Sequence, residues 1–543
     1  MQTILKGPFR AFCFLQERLC EDSHSPDNTD MTGFQRGVAL AATIIASSMG
    51  FIDGTVVHIA LPSIQRDLGA NFADLQWIAN SYLLALCALL VVSGALGDRY
   101  GPRRVFLWGI AGFTLSSAAC AASPDSNWLV IARSFQGVGA ALMLPQSLSI
   151  IARLYPPSQR GRAIGIWSTF ASASAAAGPV IGGFLVDHGG WPFAFWVNLP
   201  LGLLAFGLTL YAVPRGNDRK PVPLDWLGST LLVLSLGSAV FATINLSLYP
   251  IYSAFVWPGW LVGLCALIVF IWWERRAPAP VLPAHFIANR EFVLLNLYCL
   301  TIFAAFAAMM FLVPYVLITS LGLSASLAAL NILPMGICIS LMARPVGGWA
   351  DRVGYRTPMI CGATGIALAT VTAGLIVWLR TPWSGAVAMT TLGLAAGLMV
   401  TPLTTGVLNS VATEESGLAS GINHAVSRIG NLLSIALFGV VLVLRSRHHL
   451  IDNLTDSVLD SVSAAQIRPI VLRASGTLTQ ADLSELPVSL QAPAKALLTS
   501  ALDSAFIEVM LAASVCALLA VWCAVALSGG KINGIIATPA SSK

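Results

Sequence analysis

Charge is what this sequence has least of. Only 10% of its 543 residues are Asp, Glu, Lys or Arg, while 56% are hydrophobic and the mean hydropathy is +0.77. A water-soluble globule needs a polar surface, so this composition excludes one. The net charge of +5 is small for the length and argues for neither nucleic acid nor an acidic partner. Also missing are the Gly-x-x-x-x-Gly-Lys-Ser/Thr loop that cradles nucleotide phosphates, a nucleophile elbow and a His-Glu-x-x-His site. No enzyme activity and no cofactor are expected, and energy for any work must come from an ion gradient or the substrate's own gradient. The ten cysteines form no pair at metal-ligand or redox spacing. Cys13 and Cys20 precede the apolar region, and others such as Cys87, Cys265 and Cys338 sit in apolar runs as small packing residues. Residues 1 to 30 lack the charged start, apolar centre and cleavage site of a secretory signal, so the first span must direct insertion, and Met31 just before it is a second candidate start.

What is present is repetition of apolar stretches of ~20 residues, each long enough to cross a hydrocarbon core of ~30 Å as a helix. They fall near 36–61, 75–97, 103–122, 127–153, 161–186 and 193–213, then 226–248 and 254–273, then 292–319, 324–348, 358–379, 384–410, 417–444 and 502–528. That predicts an all-α polytopic membrane protein of about fourteen spans. The division is a polar tail (1–35), a first six-helix half (36–213), a linker with two extra helices (214–290), a second half (291–528) and a closing tail (529–543). A proline-rich connector, Ala277 to Ala284, follows the extra pair.

Arginines gather in alternate connections: Arg99, Arg103 and Arg104; Arg153, Arg160 and Arg162; Arg215, Arg219 and Lys220; Arg275, Arg276 and Arg290; Arg352 and Arg356. The other short connections hold few, Arg66 and Arg380 being exceptions. Positive charge stays on the cytoplasmic side, which places both termini there, in a cytoplasmic (inner) membrane. The long polar segment 445–500 is then external, a surface cap or a substrate gate, with 491–501 able to form a short amphipathic helix.

The strongest local pattern is Gly94-Ala-Leu-Gly-Asp98-Arg99-Tyr-Gly101-Pro-Arg103-Arg104, and Gly347-Gly-Trp-Ala-Asp351-Arg352-Val-Gly354-Tyr-Arg356 repeats it at the same offsets in the second half. Two halves with matching loops imply a duplication, with a cavity where they meet. At these residues the chain resembles the major facilitator superfamily, in particular its fourteen-span branch of drug:proton antiporters, over roughly residues 36 to 528. Asp53-Gly-Thr55 through His58 to Pro62 is similar to that branch's first-span motif, with His58 where Asn is usual. Leu129, Arg133, Gln136, Gly137 and Gly139 are similar to the buried-arginine motif of the fourth span. Ser174 to Gly178-Pro179 with Gly182 and Gly183 is similar to the antiporter motif, Ser174 replacing Gly. Trp191-Pro192-Phe193 departs from the family's Trp-Arg-Trp, whereas Asn198 and Pro200 fit.

Asp53 is the costliest residue, since a carboxylate deep in an apolar span costs ~2.5–3.5 kcal/mol on the insertion scale. A carboxyl that is neutral when dry and ionised when water or a cation enters can exchange a proton for substrate, or it can simply bond a neighbouring helix. Arg133 is the matching buried cation; the resemblance makes it part of proton coupling, and bonding to helix carbonyls is the alternative. By the resemblance, Asp98 and Arg99 latch the cytoplasmic side in a tight loop bent by Gly94 and Gly101, Asp98 facing a helix N-terminus, with Asp351 and Arg352 as the second copy. Solvated topogenic charge is the plainer reading. Gly178, Pro179, Gly182 and Gly183 offer a hinge or close packing. Trp77, Asn80 and Tyr82 resemble a pattern near the cavity, Trp77 serving equally as an interfacial anchor. Gln136, Asn423 and Arg428 add polar atoms, and His58 and His424 read first as satisfied internal histidines, second as substrate or proton contacts.

The resemblance implies proton-coupled efflux of lipophilic small molecules or drugs by alternating access, with substrate, protons and the bilayer as partners and a periplasmic adaptor left open. A single mid-span acid favours monovalent or neutral substrates over divalent cations. A dedicated exporter of one metabolite, peptide or siderophore is the second reading, and a non-transporting membrane sensor or scaffold the third.

Overall fold

The computed structural model describes residues 32–214, 225–277, 280, 282–412, 415–456, 467, 478, 483, 484 and 486–527. Both tails, the link residues Arg215, Arg219 and Lys220, and Met31 lie outside them. Among the described residues there is no strand, and fourteen helices are long and apolar enough to cross a membrane. The chain is a multi-pass membrane protein, and its apolar side chains point outward as that solvent requires: Leu115, Leu203 and Trp378 are 72%, 70% and 77% exposed.

The first half runs α1 (Gly33–Leu68), α2 (Phe72–Tyr100), α3 (Pro102–Ala121), α4 (Ser126–Leu154), α5 (Pro157–Gly189), the short α6 (Phe193–Trp196) and α7 (Asn198–Ala212). Local chemistry sets the ends. Thr32 with Gln35 and Asn71 with Asp74 form reciprocal caps that satisfy the first free N–H groups of α1 and α2. The extra pair is α8 (Trp226–Asn245) and α9 (Trp257–Glu274), joined where the α8 cap Asp225 also accepts from Trp273 Nε1 at 2.8 Å. The second half runs α10 (Ala284–Ala288), α11 (Arg290–Thr319), α12 (Ala325–Val353), α13 (Arg356–Ala373), α14 (Leu375–Leu379), α15 (Ser384–Asn409), α16 (Ser416–Asp456) and α17 (Val488–Ala526).

The halves pack by one scheme. In the first, α4 lies on α2 and α3 while α5 lies on α1; in the second, α15 lies on α12 and α13 while α16 lies on α11. Between halves, the fifth span of each packs on the second span of the other, α5 on α12 and α16 on α2, and α8 rests on the outside of that second seam.

The repeated motif is helical where a loop is expected. Gly94, Asp98 and Arg99 form the last turns of α2, and Asp351 and Arg352 those of α12. The turn itself is carried by Gly101 at φ 88° and Gly354 at φ 82°, a region that costs a side chain. Nothing lies within 4 Å of a Cβ built on Gly94, so it is not a close-approach site. The arginine five places after each Asp does identical work. Arg103 donates from Nη2 to the Leu210 carbonyl at 2.9 Å, and Arg356 from Nη2 to the Val525 carbonyl at 2.6 Å. Each ties the third span of its half to the last turns of the sixth, where exposed carbonyls favour a cation.

The segment 445–500 is not a loop throughout. Helix α16 continues to Asp456 and α17 begins at Val488, absorbing 491–500 despite Pro493. Two contacts hold the extensions upright: Arg445 and His449 both reach Glu508, and Leu450, Leu454, Leu498 and Ala501 share a small separate core. Arg380, an exception to the charge pattern, pairs with the largely buried Asp503, which also accepts from Ser320.

Candidate functional site

Five helices of the first half converge on one carboxylate. Asp53 of α1 is wholly covered, and Arg133 of α4, 2% exposed, meets its Oδ2 through Nη1 at 2.5 Å. Gln136, one turn along α4, donates Nε2 to Asp53 Oδ1 at 2.8 Å and accepts from Arg133 Nη1 at 2.7 Å. Asn198 of α7 donates to the same Oδ1 at 3.5 Å and to Ser117 Oγ of α3 at 3.1 Å. Arg133 Nε donates to the Ile78 carbonyl of α2 at 3.3 Å, and the guanidinium carbon lies 4.3 Å from the Tyr82 ring centre. Such a pair is tolerated in a dry interior only when its charges meet and further hydrogen bonds support them, as Gln136, Asn198 and the Ile78 carbonyl do here. The i, i+3 spacing of Arg133 and Gln136 puts both on one face of α4, which explains how a linear motif delivers two donors to one acid.

A cavity of about 310 Å³ opens between the halves beside this cluster. Arg133, Tyr82 and His58 border it, whereas Asp53 does not; the carboxylate stands behind the arginine. Of the two readings of Asp53, the structure shows the bond to a neighbouring helix: the strongest partner for a buried carboxylate is a guanidinium, and it occupies the place between the acid and the cavity. Of the other residues expected at the cavity, Gln136 is consumed by the Asp53 cluster, Trp77 packs against Phe241 of α8 with ring centres 6.1 Å apart, and Asn423 bonds Asn296 at 3.2 Å. Asn80 is buried with both amide atoms unpartnered, and His424 is exposed on α16; neither borders the cavity. His58 is not the satisfied histidine expected, because its Nδ1 is buried without a partner beside the open space. The second half contributes residues that sequence reasoning passed over as cavity groups: Arg428 and Asn431 of α16, with Met310, Met335 and Phe306.

The antiporter-motif residues make close packing, not a break. Helix α5 runs unbroken through Pro179, and a Cβ on Gly178 or Gly182 would sit 2.0 Å from Thr55 Oγ1 or 2.1 Å from Val56 Cγ2 of α1. A Cβ on Gly183 would lie 2.6 Å from the Ala325 carbonyl, across the seam on α12. Four residues on, Asp187 accepts from the backbone N–H groups of Ala325 and Ser326 at 3.0 and 2.8 Å. The acid that sits on a helix N-terminus is thus Asp187 on α12, where the free N–H groups and the dipole favour it. Asp98, expected in that role, is 57% exposed and 3.9 Å from Arg153.

The hydrogen bonds that join the halves, among the described residues, share one end of the bundle. Besides Asp187, Tyr315 donates to Gln65 at 2.9 Å, and Gln76 donates to the carbonyls of Ile435 and Ala436 at 2.6 and 2.9 Å. All belong to the ends opposite the arginine-rich connections. At the arginine-rich end no hydrogen bond or ion pair between described residues joins the halves. Among the described residues, the hydrogen bonds between the halves therefore close the end opposite the arginines.

The sequence profile of the Major Facilitator Superfamily matches residues 43–435. The chain is 33% identical to the multidrug resistance protein Stp of Mycobacterium tuberculosis over 79% of its own length and 81% of that protein's. It is 32% identical to the tetracenomycin C resistance and export protein of Streptomyces glaucescens, over 75% of this chain and 76% of that one. In three dimensions it is similar to an inward-facing, unoccupied bacterial homolog of the human lysosomal transporter Spinster, with a TM-score of 0.64 at 19% identity over 90% of this chain and 96% of that one.

Proposed function

The chain belongs to the major facilitator superfamily, and on that footing we propose that it exports lipophilic small molecules or drugs in exchange for protons. The observation that carries this reading is the Asp53–Arg133 pair at the wall of the cavity. Protonating Asp53 removes the counter-charge of Arg133, and Arg133 is the member of the pair that touches the space a substrate occupies. The charge presented at the cavity wall then changes with the proton, and proton and substrate are coupled through one guanidinium. No resident cofactor is required by this scheme, since the proton gradient supplies the energy. Names of relatives that include multidrug resistance and tetracenomycin C export support efflux as the direction. The alternation of arginines supports placing the arginine-rich end in the cytoplasm, and the inner membrane as location.

The test uses inverted membrane vesicles with a pH dye. Substrate-driven proton release is expected from the natural protein and is expected to vanish in Asp53→Asn at equal protein level. Unchanged release in Asp53→Asn removes the pair from the mechanism.

A further inference from the structure

The cavity lining assigns a charge to the substrate, an inference that rests on the exporter reading. Among the described residues that border the cavity there is no carboxylate, and the two cations are Arg133 and Arg428. Arg133 is neutralised by Asp53. Arg428 forms no hydrogen bond or ion pair with a described residue, and no carboxylate lies beside it in the cavity wall. A half-buried guanidinium on the cavity wall with no counter-charge among the described residues leaves its donors to a guest, and an anion is the guest that matches them.

Two orphaned polar atoms refine the picture. Asn431, three residues on and therefore on the same face of α16, has a buried Oδ1 with no partner. His58 presents an unpartnered Nδ1 from the opposite half. An acceptor left bare in the wall asks for a donor such as a hydroxyl or amide N–H. The remaining wall is broad and soft, with Phe51, Phe306, Met310 and Met335 suited to flat aromatic rings and adaptable to their outline.

We propose that the cavity selects amphipathic aromatic monoanions, a carboxylate or phenolate seated on Arg428 and a hydroxyl or amide donor on Asn431. A monovalent cation, the guest that Asp53 alone suggests, meets no exposed negative charge there. Guanidinium binds a carboxylate through two parallel hydrogen bonds, which Lys reproduces only as a point charge.

The experiment uses the full chain in proteoliposomes with an imposed proton gradient and three matched probes: hydroxynaphthoate, its neutral carboxamide, and the cation N-methylquinolinium. Uptake of hydroxynaphthoate is expected to exceed that of the carboxamide by about ten-fold, the scale of a charge-assisted pair. That ratio is expected to collapse toward one in Arg428→Gln and to recover in part in Arg428→Lys. Proton-coupled movement of the quinolinium equal to that of the naphthoate overturns the proposal while the exporter reading stands. So does a naphthoate-to-carboxamide ratio near one in the natural protein, a result that needs no variant to fold. If no probe moves and no drug releases protons, the exporter reading itself fails and this one falls with it.

Discussion

Arg133 stands between Asp53 and the cavity: the carboxylate is fully covered, while the guanidinium that holds it borders the open space. Removing either partner leaves the other as an uncompensated buried charge, at a cost of about 3–5 kcal/mol. Asp53→Asn and Arg133→Met are each expected to lower the melting temperature of the purified protein sharply. The double variant should recover most of the loss, because no naked charge remains. Transport should be absent in all three. Thermal melts in detergent beside a vesicle assay separate these quantities, and a double variant no more stable than the singles would deny that the pair acts as one unit.

Asp187 and Gly183 both fasten α5 to α12 at the closed end. Asp187→Ala removes two charge-assisted bonds at an exposed position, worth about 1 kcal/mol together, so the balance between end-closed and end-open states should move roughly five-fold. Gly183→Leu should move it further in the same direction by steric conflict with the Ala325 carbonyl. Distances between spin labels placed on α5 and α12 read the shift directly.

Glu508 collects Arg445 and His449 and so anchors the helical extensions beyond the bundle. Glu508→Ala should cost little in global stability, under about 1 kcal/mol, because the ion pair is partly exposed. Its local effect should be larger: amide exchange across 445–456 is expected to speed up markedly, with the rest of α16 unchanged.

If an anion leaves as a proton enters, both movements carry positive charge inward. Export of an aromatic carboxylate should then respond to voltage as well as to the pH difference, each charge contributing about 2.3 kcal/mol per 100 mV. A potassium diffusion potential set with valinomycin should accelerate efflux of hydroxynaphthoate more than that of its carboxamide. Equal acceleration of both would contradict the coupled charge movement.

Much of this was legible in the chain because membrane solvent writes in long words. A span is about twenty apolar residues, so fourteen of them, their division into halves and the duplicated Asp–Arg motif could be read before any coordinates. Asp53 and Arg133 stood out for a related reason: in so apolar a text, a buried charge is conspicuous. What stayed hidden was direction around the helix axis. Nothing in the residue types says that Asp53 turns to α4 instead of the cavity, that Trp77 turns to Phe241, or that Arg428 turns inward, because rotation is set by packing against neighbours distant in sequence. The 445–500 segment misled for another reason. Its polarity reflects water outside the bilayer, and a helix continues there when Leu450, Leu454 and Leu498 have a small core to enter.

Arg103 and Arg356 fasten the third helix to the sixth, and each of these two bonds stays within its own half. Each half therefore carries its own buckle, and a lesion in one would make a lopsided machine. With Arg103 lost, the first six helices would soften while their twins kept shape, and strokes would still occur but fall short at one stop.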